Sequence, residues 1–187
     1  VLVFFPVFGT AIAWRNNIAS IAWVTTLAGA FTAGALILAT HDLVPFTAAL
    51  VGIGAVLEIS ACLDHWLQER WVVAMLADLS ILLLTYVATR PGGLPPGYAA
   101  FSTTAVVSLQ IALLVIYLLS AVVRTLWRGF PFTGFEIVQC VLAFAISISG
   151  AIRVAQGHPK VTLGVAAFCL AAGLACYLVS FTFLVKL

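Results

Sequence analysis

Charged residues are scarce in this sequence, and their scarcity excludes an ordinary water-exposed surface. Only 7% of the 187 residues are charged and 64% are hydrophobic, whereas soluble domains carry about 25% charged and about 45–50% apolar residues. The formal net charge is +2, and so little charge cannot build a phosphate-tracking face for nucleic acid. A lipid bilayer is the solvent that suits such a surface, so the composition predicts an integral membrane protein.

Ligand patterns for metals and haem are also missing. No CxxC pair indicates a zinc site or a disulfide framework, and the four cysteines stand in or beside apolar runs, as buried thiols do: Cys62, Cys140, Cys169 and Cys176. A membrane haem needs axial histidines inside helices, but the three histidines fall in polar connectors: His41, His65 and His158. We therefore expect no metal and no cofactor held by this chain alone.

Motifs of membrane-embedded catalysis are absent as well. The sequence has no HExxH, no Asp-rich motif and no Gly-x-Gly-Asp, and its serines stand without a paired base. An enzyme needs such groups in named roles, so the sequence predicts a protein that is not an enzyme.

Long apolar runs separated by short polar breaks are what the sequence has instead. One span needs about 20 apolar residues in a helix, so the runs predict an all-α, polytopic transmembrane helix bundle with one incomplete span followed by six full spans. Their predicted ranges are 1–13, 18–39, 45–63, 71–89, 99–123, 132–153 and 161–184. Because Val1 already stands inside an apolar run, we expect residues 1–187 to be a single transmembrane domain of a longer chain.

Alternating the connectors between the two membrane faces predicts an orientation. One face, called here the basic side, receives five cations: Arg15, Arg70, Arg124, Arg128 and Lys186. The opposite side receives three: Arg90, Arg153 and Lys160. Four tryptophans also fall on the basic side, at the depth where indoles prefer to lie: Trp14, Trp66, Trp71 and Trp127. The excess of cations predicts that the basic side is cytoplasmic.

Small residues at four-residue spacing mark two helices. The second span carries Gly29 and Ala33, with Ala30 and Gly34 in the neighbouring register. The last span carries a similar set: Ala171, Gly173 and Ala175. Such faces let helix backbones approach closely in lipid, and the contact they predict is either inside the bundle or with other transmembrane subunits.

Three carboxylates lie inside predicted spans: Glu58, Asp78 and Glu136. A charge in the bilayer costs about 2.5 kcal/mol or more, so such residues face the bundle interior and are candidates for function. Arg124 and Arg128 are the cations predicted to pair with them. The group is a candidate intramembrane polar cluster, and it is either structural or part of a proton or ion path.

Two of these carboxylates carry local predictions. Glu136 follows Thr133 by three residues, which is the spacing of a capping box at a helix start. Asp78 stands in "MLADLSILLLTYV" without a cap to explain it. We expect its carboxyl to face the bundle and to bond to a group on another helix or to water.

Residues 10–90 resemble a family of large multi-pass bacterial membrane proteins of unknown function. The resemblance rests on "AIAWRNNIASIAWVTTLAGAFTAGALIL", "HDLVPFTAALVGIGAVLEISACLDHW" and "RWVVAMLADLSILL". It implies a bacterial inner membrane and further spans, and it brings no catalytic residue. The favoured hypothesis is a non-enzymatic scaffold, accessory subunit or part of a larger membrane protein. The alternative is a small transporter or ion-conducting module that uses the intramembrane carboxylates.

Overall fold

The computed structural model describes residues 2–16, 18–63 and 70–186, and nearly all of them lie in seven α-helices. The helices are α1 Phe4–Asn16, α2 Ala19–Thr40, α3 Leu43–Cys62, α4 Arg70–Ala88, α5 Thr103–Val122, α6 Gly134–Ala155 and α7 Pro159–Lys186. All except α1 are long and apolar enough to cross a membrane. The chain is therefore a multi-pass membrane protein, and the predicted six full spans and shorter first helix are confirmed.

The fifth span begins later than predicted. The Ser102 side chain accepts a hydrogen bond from the Ala105 backbone N–H at 3.1 Å, and α5 starts at the next residue, Thr103, instead of at position 99. This is an N-cap, in which a serine oxygen satisfies one of the free N–H groups of the first turn. At its other end α5 continues into a π-helical turn, Val123–Trp127.

Helix α3 lies at the centre of the bundle and packs on α2, α4 and α5. Helix α6 covers the far side by packing on α5 and α4, whereas α1 packs mainly on α2 and α7 mainly on α6. The buried side chains at the centre are large and aliphatic, among them Leu50, Ile53 and Leu57 of α3 and Ile81 and Leu84 of α4. The four helices α3 to α6 therefore enclose the polar groups that point toward this centre.

The small residues of α2 are only in part a packing surface. Ala30 and Ala33 are fully buried, and a Cβ added to Gly29 would lie 2.7 Å from Cγ of Pro6 in α1. The predicted close approach inside the bundle is seen at Gly29. At Gly34 that part of the prediction is wrong, because an added Cβ would meet nothing within 4 Å.

The small residues of α7 do not pack inside the bundle, so that part of the prediction is wrong. Ala171, Gly173 and Ala175 are exposed, and a Cβ on Gly173 would meet nothing within 4 Å. The reason is the course of α7. Val165 near its start is buried against the core. From Ala171 to Thr182 nearly every residue is exposed, so this part of α7 makes few contacts with the other described helices.

Candidate functional site

Four charged side chains meet between α3, α4, α6 and the end of α5. They are Glu58, Arg70, Arg124 and Glu136, and none is more than 3% exposed. We call them the ion network. Two arginines and two glutamates give it no net charge, which is the arrangement that makes buried charges tolerable.

Arg70 and Glu58 form the firmest contact of the ion network. The Arg70 Nε donates to Glu58 Oε1 at 2.9 Å, and its Nη2 donates to Oε2 at 2.8 Å. Two parallel bonds between guanidinium and carboxylate are stronger and more directional than one. The Ser120 hydroxyl of α5 also donates to Glu58 Oε2, so this carboxylate ties α3 to both α4 and α5.

Glu136 contacts side chains of two other helices and also caps the N-terminus of its own helix, α6. Arg70 Nη1 donates to Glu136 Oε1 at 3.4 Å. Arg124 Nε lies 2.6 Å from the same oxygen, as an ion pair without the angle of a hydrogen bond. The other oxygen, Oε2, accepts from the Thr133 N–H at 2.7 Å. The predicted capping box is thus confirmed, and the same carboxylate also belongs to the ion network.

Arg124 joins the ion network to the end of α3. Its Nη1 donates to the backbone oxygen of Ala61 at 2.5 Å, one of the last four carbonyls of α3, which no N–H four residues further along the helix can reach. Arg124 lies in the π-helical turn, which is closed by a bond from the Arg128 N–H to the Val123 oxygen at 3.0 Å. Such turns are often found at functional sites.

Arg128 does not belong to the ion network, which corrects the prediction that it pairs with the carboxylates. Its side chain is exposed, and no ion pair in the described part of the chain involves it. Residues four apart share a face only while the helix continues, and here the helical turn ends at Trp127. Arg128 instead lines an outer groove together with Ile59, and the same groove reaches Glu58 of the ion network.

The prediction also missed Arg70, because it assigned this residue to a connector. Arg70 is the first residue of α4, and its guanidinium lies 4.4 Å from the centre of the Phe135 ring. A signal was present in the sequence: Arg70, Ala74, Ala77 and Ile81 follow one another at helical spacings of four, three and four residues and share one face. That face is the buried one.

Asp78 faces the bundle, as predicted. It is 5% exposed, and Gln139 Nε2 of α6 donates to both carboxylate oxygens, at 3.1 Å and 2.9 Å. The residue is not part of the ion network, and no hydrogen bond joins it to Glu58 among the described residues. It stands eight residues after Arg70, about 12 Å along the helix, which separates it from the pair of Arg70 and Glu58.

Replacing Asp78 by asparagine is expected to leave the free energy of unfolding within about 0.5 kcal/mol of wild type, because an amide oxygen still accepts from Gln139. Replacing it by leucine removes the contact and is expected to cost about 0.6–2 kcal/mol. Unfolding of the detergent-solubilised protein by dodecyl sulfate measures both. Gln139→Leu is the control: if Asp78→Leu and Gln139→Leu add fully when combined, the bond contributes nothing.

A second polar pair lies deeper in the bundle and was not predicted. Gln110 of α5 is fully buried, and its Nε2 donates to Thr85 Oγ1 of α4 at 2.7 Å. Gly150 of α6 makes room for this amide, since a Cβ there would lie 2.5 Å from Gln110 Nε2. Gln110 Oε1 and the hydroxyl of buried Ser147 have no hydrogen-bond partner among the described residues.

Metal ligands do not gather anywhere in the described ranges, 2–16, 18–63 and 70–186: no three His, Cys, Asp or Glu side chains stand close enough to hold an ion. His41 and His158 lie in connectors on the opposite side, as predicted. His65 and Trp66 were predicted in the connector before α4 and lie outside the described residues.

The fold and the ion network define a multi-pass helical membrane protein with a neutral, buried charge cluster between its spans. Comparison with family models, with curated proteins and with solved structures gave no match. The resemblance of residues 10–90 to bacterial multi-pass proteins stays a prediction.

Proposed function

We propose that this chain is a non-enzymatic structural subunit, or a structural part, of a larger membrane assembly. The observation that carries the proposal is that the three intramembrane carboxylates are almost fully buried and paired. Glu58, Asp78 and Glu136 are 3%, 5% and 2% exposed, and each is bonded to a side chain on a neighbouring helix. A catalytic or transporting carboxylate has to meet substrate or water, whereas bonds of this kind hold helices in register.

The exposure of α7 supports the proposal that the chain belongs to a larger membrane assembly. Only 6% of the apolar stretch of α7 is buried, against 33% to 56% in the other five spans. Lipid can cover an apolar helix, but Ala171, Gly173 and Ala175 expose a surface on which another helix backbone can approach closely. The partners we propose are transmembrane helices of another subunit or further spans of the same polypeptide. From the resemblance of residues 10–90, we propose a bacterial inner membrane as the location.

Site-specific photo-crosslinking in the native membrane tests this function. A photoreactive amino acid at Leu170 of α7 is compared with one at Leu38 of α2, because the two leucines are equally exposed, at 75% and 72%. The expected result is a protein adduct from position 170, lipid adducts alone from position 38, and a stoichiometric partner after purification in mild detergent. Lipid adducts alone from both positions, with a protein that purifies by itself, would contradict the proposal.

An ion-conducting module is a second candidate, and Asp78 favours it. This carboxylate is bonded only to the neutral Gln139 in the described part of the chain, and further polar side chains, Thr85, Gln110 and Ser147, line the bundle toward the opposite side. Proton flux into proteoliposomes separates the candidates. A flux in wild type that Asp78→Asn abolishes, with the protein still folded, would replace the structural proposal.

A further inference from the structure

A polar cleft opens on the opposite side of the molecule, away from the ion network. It has a volume of about 640 Å³ and lies between the end of α4, the start of α5 and the connector from α6 to α7. Its polar lining consists of Thr89, Arg90, Thr103, Arg153, Gln156 and His158. This size is in the range of small-ligand sites, about 300–1,000 Å³.

The positive charge of the cleft is not neutralised. Arg90 and Arg153 are both exposed, and no ion pair of the described residues involves either of them. No carboxylate lines the cleft. Of the described acids, Asp42 stands on this side of the membrane but does not line the cleft, and Glu58, Asp78 and Glu136 are bonded elsewhere. An open cleft with two free guanidinium groups concentrates anions.

Hydrogen-bond donors stand beside the two arginines. Thr103 Oγ1 lies 3.5 Å from Nε2 of His158, and both side chains line the cleft. The helix dipoles around the cleft offset one another, because α5 and α7 begin there while α4 and α6 end there. The side chains therefore decide which ligand the cleft attracts.

The ends of the apolar helices place the cleft at the level expected for the lipid headgroups. Arg90 stands two residues beyond the last residue of α4, and Arg153 lies in the last turn of α6. Phe101, Val154 and Ala88 provide its apolar wall. Guanidinium groups bind phosphate oxygens in pairs of parallel hydrogen bonds, and basic pockets between transmembrane helices bind phosphorylated headgroups.

We propose that this cleft binds a phosphate-bearing anion through Arg90 and Arg153, with Thr103 and His158 as further contacts. The ligand is the headgroup of an anionic phospholipid or free phosphate, since both present the same oxygens. This site is independent of the proposed function and stands on a different part of the molecule.

The test compares wild type with the double variant Arg90→Gln/Arg153→Gln, which keeps polar side chains and removes both charges. Lys160→Gln is the matched control, because Lys160 is exposed on the same side of the membrane but does not line the cleft. The probes are dioleoyl phosphatidylglycerol, dioleoyl phosphatidylcholine and inorganic phosphate at constant ionic strength. Bound lipid is counted by native mass spectrometry, and each probe's effect on the thermal midpoint is measured in neutral detergent.

Phosphatidylglycerol is expected to bind wild type more tightly than phosphatidylcholine. The double variant should weaken that binding about tenfold or more, and Lys160→Gln should leave it unchanged. Stabilisation by inorganic phosphate that is lost in the double variant assigns the cleft to free phosphate as well; stabilisation by phosphatidylglycerol alone assigns it to a lipid headgroup. Equal binding by the double variant and wild type, or no effect of phosphatidylglycerol and none of inorganic phosphate, overturns the proposal.

Discussion

Replacing Arg70 by methionine is expected to lower the free energy of unfolding by about 3–5 kcal/mol, because it leaves a buried charge without its partner. Arg70 provides both nitrogens that bind Glu58, and in its absence only the Ser120 hydroxyl remains on that carboxylate. Methionine matches arginine only as far as Nε, so the lost contact between the guanidinium and the Phe135 ring is part of this difference. Reversible unfolding of the detergent-solubilised protein by dodecyl sulfate measures the difference.

Two further variants separate loss of the ion pair from loss of a cation as such. Arg128→Met removes a cation from the same side of the membrane, but Arg128 is exposed and has no ion pair, so its effect should stay within about 0.5 kcal/mol. Arg70→Met combined with Glu58→Gln removes both charges of the pair and should recover a large part of the loss. If Arg70→Met were as stable as wild type, the ion network would not contribute to stability.

The transmembrane architecture could be predicted from the sequence because the bilayer leaves few alternatives. Lipid offers backbone groups no hydrogen bonds, so an apolar run of sufficient length has to form a helix. Composition and run length therefore predicted the six spans, and the errors lie at helix ends. At the start of α5 the deciding feature is the Ser102 cap, which hydropathy alone does not reveal.

The surroundings of Asp78 and Glu136 could be predicted from the sequence. The rule for Asp78 is strong, and the rule for Glu136 is local. A carboxylate deep in a span has to find a partner within the bundle, and Asp78 has found Gln139. The capping box of Glu136 needs only the three-residue spacing from Thr133. The identity of the partner helix could not be predicted, because it depends on how helices are arranged in three dimensions.

The composition of the ion network was harder to predict, because helix-end cations look alike in sequence. Arg70, Arg124 and Arg128 all stand near the basic side, and a position near a helix end fits a side chain that reaches toward water. The packing of α4 against α3 and α6 brings Arg70 against Glu58 and Phe135. Buried Gln110 was not predicted for a different reason. An amide carries no charge, so its place inside a span is a weaker signal of function than a carboxylate.

The small residues show the same limit of sequence reasoning. Four-residue spacing predicts that a backbone can be approached closely, but it does not say which helix approaches. Gly29 lies against Pro6 of α1, whereas the equally spaced set on α7, from Ala171 to Ala175, is exposed. Spacing alone therefore could not separate contacts inside the bundle from a surface open to lipid or to another subunit.

Gly29→Leu and Gly34→Leu are expected to have opposite effects, although the two glycines lie five residues apart in the same helix. A Cβ on Gly29 would lie 2.7 Å from Cγ of Pro6 and 3.4 Å from Cδ1 of Ile53. The proline ring is rigid, so α1 would have to move away from α2. Overpacking of this kind costs about 1–3 kcal/mol.

At Gly34 the same substitution meets open space, and leucine is the better helix former by up to about 1 kcal/mol. Gly34→Leu should therefore be neutral or slightly stabilising. Unfolding by dodecyl sulfate measures both variants, and the difference between them cancels the change in helix propensity that they share. What remains is the energy of the contact between α1 and α2 at Pro6. If Gly29→Leu were as stable as Gly34→Leu, α1 would not be docked on α2 at this position, and the close approach inferred for Gly29 would be wrong.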